Sequence, residues 1–144
     1  MELPLLVGVD GSEHSLWAVD WAVDAAARHA VPVRLLHASA ERTADDPKPG
    51  DLMDAAVDRA HQRDPAVRLT TEILAEEPAP ALVRAGRNAF AVAVGSRGLG
   101  GIAGLLLGSV GLSVAARADC PVIVVRGTDT SRRGGHGRIV LGVG

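Results

Sequence analysis

Tyrosine is absent from this 144-residue sequence, and aromatics amount to only 2%: Trp17, Trp21 and Phe90. A core must therefore be aliphatic, and 47% hydrophobic residues supply enough Val, Leu, Ile and Ala to build one. Cysteine is limited to Cys120, which excludes an intrachain disulfide and a cysteine-rich metal knuckle. Lys48 is the only lysine, so no P-loop lysine exists. No apolar run approaches the roughly 18 residues of a membrane span. The formal net charge of -2 argues against nucleic acid or an anionic membrane as partner. The opening Met1-Glu-Leu-Pro lacks a basic leader region and a cleavage site, so a soluble, cytoplasmic chain is expected.

What is present is an alternation of short apolar runs with helical patterns. Leu5–Val9 reads as a strand buried on both faces and ends in Asp10-Gly11-Ser12. Ser12 suits the cap of a helix from Glu13 to Ala30, in which Trp17 and Trp21 lie one turn apart and pack on the sheet. Pro32–His37 is a second strand, 43–50 a loop, and Asp51–Arg63 a second helix. Val67–Leu74 alternates in part, as an edge strand with one wet face would. Pro78–Arg87 is a helix opened by prolines, and Ala89–Val94 a strongly apolar strand. After a glycine-rich segment come a helix over Ser109–Ala118 and a last strand, Pro121–Val125. Strands alternating with helices predict an α/β fold: a doubly wound five-stranded parallel sheet, order 3-2-1-4-5, with helices on both faces. The domain is expected to span 1–127. Residues 128–144 read as a flexible linker followed by Ile139-Val-Leu-Gly-Val, which repeats Leu5-Leu-Val-Gly-Val and predicts the first strand of a second, truncated repeat. A sixth strand or a flexible tail is the competing reading.

The segment Gly95 to Val110 concentrates the chemistry. Its glycines let backbone N–H groups approach an anion, and a helix starting at Ser109 adds unpaired N–H groups and a positive dipole end. Ser109 itself can cap that helix or touch a phosphate, and Arg97 adds positive charge. A glycine-rich packing loop explains the same composition without a ligand. The segment is not a dinucleotide fingerprint, which follows the first strand, nor a Walker A loop, which needs lysine. Asp10 ends the first strand. In the expected strand order it faces Gly95 across the crevice where the strand order reverses. A carboxylate there suits ribose hydroxyls, an adenine amino group or a hydrated metal, or caps the next helix. His37 borders the same region as a wall residue. No metal-ligand spacing and no Ser-His-Asp or Cys-His arrangement can be asserted, so neither metal ligands nor catalytic residues are assigned.

Val7-Gly-Val-Asp-Gly-Ser12, the glycine segment and Cys120-Pro-Val-Ile-Val-Val-Arg126 together resemble the universal stress protein family over about residues 3 to 126. The mark of that family's ATP-binding branch, Gly-x2-Gly-x9-Gly-Ser/Thr, maps without a gap onto Gly95, Gly98, Gly108 and Ser109. The resemblance implies an ATP-binding sensor or regulator of the stress response. Val9 and Asp10 fall on the nucleoside side and Ala38 where backbone groups read adenine. Gly95, Ser96, Arg97 and Gly98 form the near side of the ribose-phosphate loop, and Gly108, Ser109 and Val110 its helix-start half. Mg²⁺ or Mn²⁺ accompanies the phosphates, and members pair as homodimers or tandem domains through the last strand, here 121–125. The stretch 43–64 is short against typical members, which implies a shortened second helix, and Gly111 loosens the turn after Gly-Ser-Val.

The alternatives are a nucleotide-free dimerising interaction module of the same fold, and a slow metal-dependent ATPase using Asp10. An adenylating enzyme of this architecture would need Ser-Gly-Gly-x-Asp-Ser after the first strand, where this chain has Asp10-Gly-Ser-Glu-His. A flavin domain is disfavoured by the scarcity of aromatics.

Overall fold

Four-residue apolar runs cannot satisfy their backbone alone, and here each strand is flanked by another. The computed structural model describes residues 3–40, 44–95, 114, 116–125 and 138–141. The strands and helices are β1 (Leu5–Gly8), α1 (Glu13–His29), β2 (Val33–Ala38), α2 (Pro49–Arg63), β3 (Leu69–Leu74), α3 (Pro78–Gly86), β4 (Ala91–Gly95), β5 (Val122–Val125) and β6 (Arg138–Leu141). The sheet order is β3-β2-β1-β4-β5-β6. The first five strands are parallel in the expected 3-2-1-4-5 order, with β1 between β2 and β4.

Alternation along the strands divides the core in two. Leu5, Val7, Val33, Leu35, Ala91 and Ala93 face α1 and α2, whereas Leu6, Leu36, Val92, Val94 and Val122 face α3 and the helical turn ending at Ala118. Helices therefore cover both faces. Trp17 is buried in the first cluster and Trp21 packs on it, as their spacing predicted. Cys120 is buried in the second cluster, and that burial, with Asp119 beside it, pushes its thiol pKa up.

The element limits differ from the sequence reading for local reasons. Helix α2 opens at Pro49 rather than Asp51, because proline lacks only an N–H that no helix start can use, and it runs 15 residues. β3 starts two residues late, because the Asp64 carboxylate accepts from Ala66 N–H at 3.0 Å and holds a turn there. β4 also starts late: Asn88 and Ala89 donate to Ala85 and Gly86 carbonyls, unwinding α3 before the strand begins. The last turn of the expected fourth helix is described, with Ala118 N–H donating to the Val114 carbonyl at 2.7 Å. β3 lies at the sheet edge, as its partial alternation predicted.

The tail supplies a further strand. Arg138–Leu141 pairs antiparallel with β5, Val122 opposite Leu141 and Val125 opposite Arg138. The competing reading of the tail as a sixth strand describes these four residues. The outer edge of β5, on which pairing with a second copy was expected, is occupied by the chain's own β6.

Candidate functional site

The carboxyl ends of β1 and β4 lie side by side, and the chain leaves them in opposite directions: β1 towards α1, β4 towards β5. Such a reversal opens a crevice above the sheet. A shallow cleft, partly open to solvent and with a cavity volume of about 20 Å³, lies there. Of the sequence-predicted residues, Val9, Asp10, Ala38 and Gly95 line it together. Ser96, Arg97, Gly98, Gly108, Ser109 and Val110 lie outside the described residues.

The cleft has a polar side and an apolar side. The polar side is the β1–α1 loop, where every group is tied to its neighbour. Gly11 turns the chain at φ +86°, a conformation that favours glycine. Ser12 caps α1, its Oγ accepting from Ser15 N–H at 3.1 Å. Asp10 Oδ1 accepts from Ser12 N–H at 2.9 Å, so the carboxylate also plays the capping role weighed for it. Ser15, buried at 2% exposure, donates through Oγ to the Ser12 carbonyl at 2.9 Å and accepts from Asp10 N–H at 3.3 Å. The carboxylate is thus held in one place before any ligand arrives, and its second oxygen is an acceptor that a ligand hydroxyl can use.

His37 fixes the same loop from below. Its Nδ1 lies 2.8 Å from the Val9 carbonyl, which can only accept, so Nδ1 carries the proton. Its neighbours Leu36 and Ala38 belong to the α3-side core, so His37 projects to the opposite face, away from the apolar half of the cleft. It does not line the cleft, where it was expected as a wall residue, but clamps Val9 from the other face.

The apolar side comes from the strand ends and from α3: Gly8, Leu36, Val94, Pro78 and Leu82. The sequence reading placed this helix but missed that it lines the cleft. A usable signal existed, since every helix of a parallel sheet starts at the carboxyl edge, so the first turns after Pro78 were candidates. Gly95 has a role that spacing cannot reveal. A Cβ there would lie 2.5 Å from the His14 carbonyl carbon and oxygen and 2.8 Å from Ser15 N, all backbone. Glycine is required at 95 for α1 to pack against the end of β4, whatever the cleft binds. Among the described residues, no group of three His, Cys, Asp or Glu side chains is placed to hold a metal ion, and no helix is long and apolar enough to cross a membrane.

Fold and cleft together define a doubly wound α/β domain with a cleft at the switch point between β1 and β4. The family model for the universal stress protein family matches residues 3–126. A universal stress protein of Mycobacterium tuberculosis is 40% identical over 136 residues, covering 87% of this chain and 46% of the relative. One of Mycolicibacterium smegmatis is 32% identical over 160 residues, covering 99% of this chain and 54% of the relative. The chain spans about half the length of these curated relatives. Among solved structures, a universal stress protein crystallised in complex with cAMP is 34% identical with a TM-score of 0.69, covering 85% of this chain and 94% of that one. One from Archaeoglobus fulgidus has the same fold at 23% identity and a TM-score of 0.69, covering 86% and 93%. The chain belongs to the universal stress protein family.

Proposed function

We propose that this chain binds an adenine nucleotide, ATP in the working state, in the cleft between β1 and β4, and serves as a sensor or regulator in the stress response. The observation that carries the reading is the cleft itself, with a preset carboxylate, Asp10, facing an apolar wall beneath the first glycine of the Gly95-x2-Gly98-x9-Gly108-Ser109 pattern. The cAMP complex of a relative 34% identical supports a nucleotide of this class. The base lies on the apolar side near Ala38, and a ribose hydroxyl donates to Asp10. Phosphates are held by backbone N–H groups of the 95–110 segment, with Arg97 and Ser109 beside them and Mg²⁺ or Mn²⁺ as counter-ion. The Asp10 carboxylate fits a sugar hydroxyl because one oxygen is already anchored and the other is not needed for the cap.

The half-length match to the curated relatives supports a chain that is one unit of a tandem pair, with 128–144 as linker and start of the second unit.

Acid extraction of the purified protein, followed by mass spectrometry, tests the reading. Near-stoichiometric release of an adenine nucleotide is the expected result. Protein that is empty, and whose melting temperature does not move with ATP and Mg²⁺, AMP or cAMP, sinks it and leaves a nucleotide-free module.

A further inference from the structure

Resting on the nucleotide reading for what Asp10 meets, we infer that the β1–α1 loop is set from outside the cleft: His37 under Val9 and Leu52 under Gly11 are positioning residues for the Asp10 carboxylate. Asp10 lies between two residues that are each held from the α2 face of the sheet. On one side, Val9 N–H donates to the Leu36 carbonyl at 2.9 Å, and the Val9 carbonyl accepts from His37 Nδ1 at 2.8 Å. On the other side, Gly11 rests on Leu52 of α2. A Cβ at Gly11 would meet Leu52 Cδ1 at 3.1 Å and Cγ at 3.2 Å. Both anchors are buried, His37 at 6% and Leu52 at 7% exposure, and neither lines the cleft.

Each anchor holds for its own reason. Val9 is 4% exposed, so its carbonyl cannot exchange His37 for water unless the loop moves outward. Leu52 fills the space beneath the left-handed residue of the turn, and close packing there keeps the turn from sinking. A shift of either neighbour passes to Asp10 through the chain. Asp10 is also the hub of the loop's own bonds: its N–H donates to Ser15 Oγ at 3.3 Å, and its Oδ1 accepts from Ser12 N–H at 2.9 Å. A carboxylate serves a ligand hydroxyl well only when held within about 0.5 Å of its place. His37 and Leu52 supply that hold without touching the ligand.

Amide hydrogen exchange on the full chain without nucleotide, paired with calorimetric titration of AMP, tests this. In His37→Leu the Asp10 and Ser12 amides are expected to exchange roughly 10-fold faster, the effect of withdrawing one donor from a buried carbonyl. The Val7 and Leu35 amides, inside β1 and β2, keep their rates, which general destabilisation would not allow. AMP affinity falls by a similar factor, roughly 10-fold. His37→Asn puts an N–H donor back at the position of Nδ1, so both readings return to within about 3-fold of the parent chain. If His37→Leu does not fold, Leu52→Ala removes the other anchor and decides by the same two readings. Unchanged exchange at Asp10 and Ser12 overturns the inference. So does faster exchange with parental AMP affinity, and both results leave the nucleotide reading standing. A parent chain that binds no AMP removes the nucleotide reading and the positioning role together.

Discussion

At the scale of the residue, Gly95 and Ser109 belong to one motif but answer to different physics. Gly95 is held to glycine by a backbone 2.5 Å from where its Cβ would be. Backbone cannot rotate aside as a side chain can, so Gly95→Ala forces α1 away from β4. It is expected to lose roughly 2–3 kcal/mol of stability by denaturant unfolding, with or without nucleotide. Ser109→Ala is expected to weaken nucleotide binding in calorimetric titration and to cost the empty protein no more than the roughly 0.5–2 kcal/mol of a lost helix cap. If Gly95→Ala unfolds like the parent chain, the close approach is not a constraint and the glycine serves the ligand alone. The same distinction separates Asp10, which both anchors the α1 cap and lines the cleft, from His37, which only clamps Val9.

At the scale of the element, α1 and α2 are joined by two bidentate ion pairs one helical turn apart. Arg59 Nε and Nη2 donate to the two Asp20 oxygens at 2.8 and 2.7 Å, and Arg63 does the same to Asp24 at 2.9 and 2.6 Å. Both guanidinium pKa values are raised, first by these hydrogen bonds. Burial separates the pairs: the Asp20 side chain is 9% exposed and that of Asp24 33%. Removing the partner of a nearly buried carboxylate leaves a charge without compensation. Arg59→Ala is therefore expected to cost roughly 2 kcal/mol, and Arg63→Ala under about 1 kcal/mol, because solvent screens the exposed pair. Thermal denaturation of both variants checks the order; equal costs would mean that burial does not decide. Neither pair was legible in the sequence. Asp20, Asp24, Arg59 and Arg63 show four-residue spacing on their own helices, but nothing in the chain states that the two helices are neighbours.

At the scale of the whole molecule, β6 closes one side of the sheet. An edge strand left open is a template for another chain. With Arg138–Leu141 on it, β5 has no free ladder, whereas a chain ending at Gly127 exposes four apolar residues, Val122–Val125, with unpaired backbone. Light scattering is expected to find the full chain monomeric and the 1–127 chain at least partly dimeric at the same concentration. Identical masses would show that β6 does not guard that edge.

The sequence by itself determined the strand order, the two covered faces, the edge character of β3 and the position of the cleft. These follow from local quantities: runs of β-branched residues buried on both sides, helix caps, and the handedness of crossovers. It also brought Val9, Asp10, Ala38 and Gly95 to one crevice, because strand order alone sets which loops meet. Tertiary structure alone decided the rest: Leu82 and Pro78 as the apolar wall, the reason for glycine at 95, the arginine–aspartate pairs, and the antiparallel seat of β6. Each of these is a contact between segments far apart in the chain. Its distance depends on how two elements pack, a quantity that neither element's own periodicity contains.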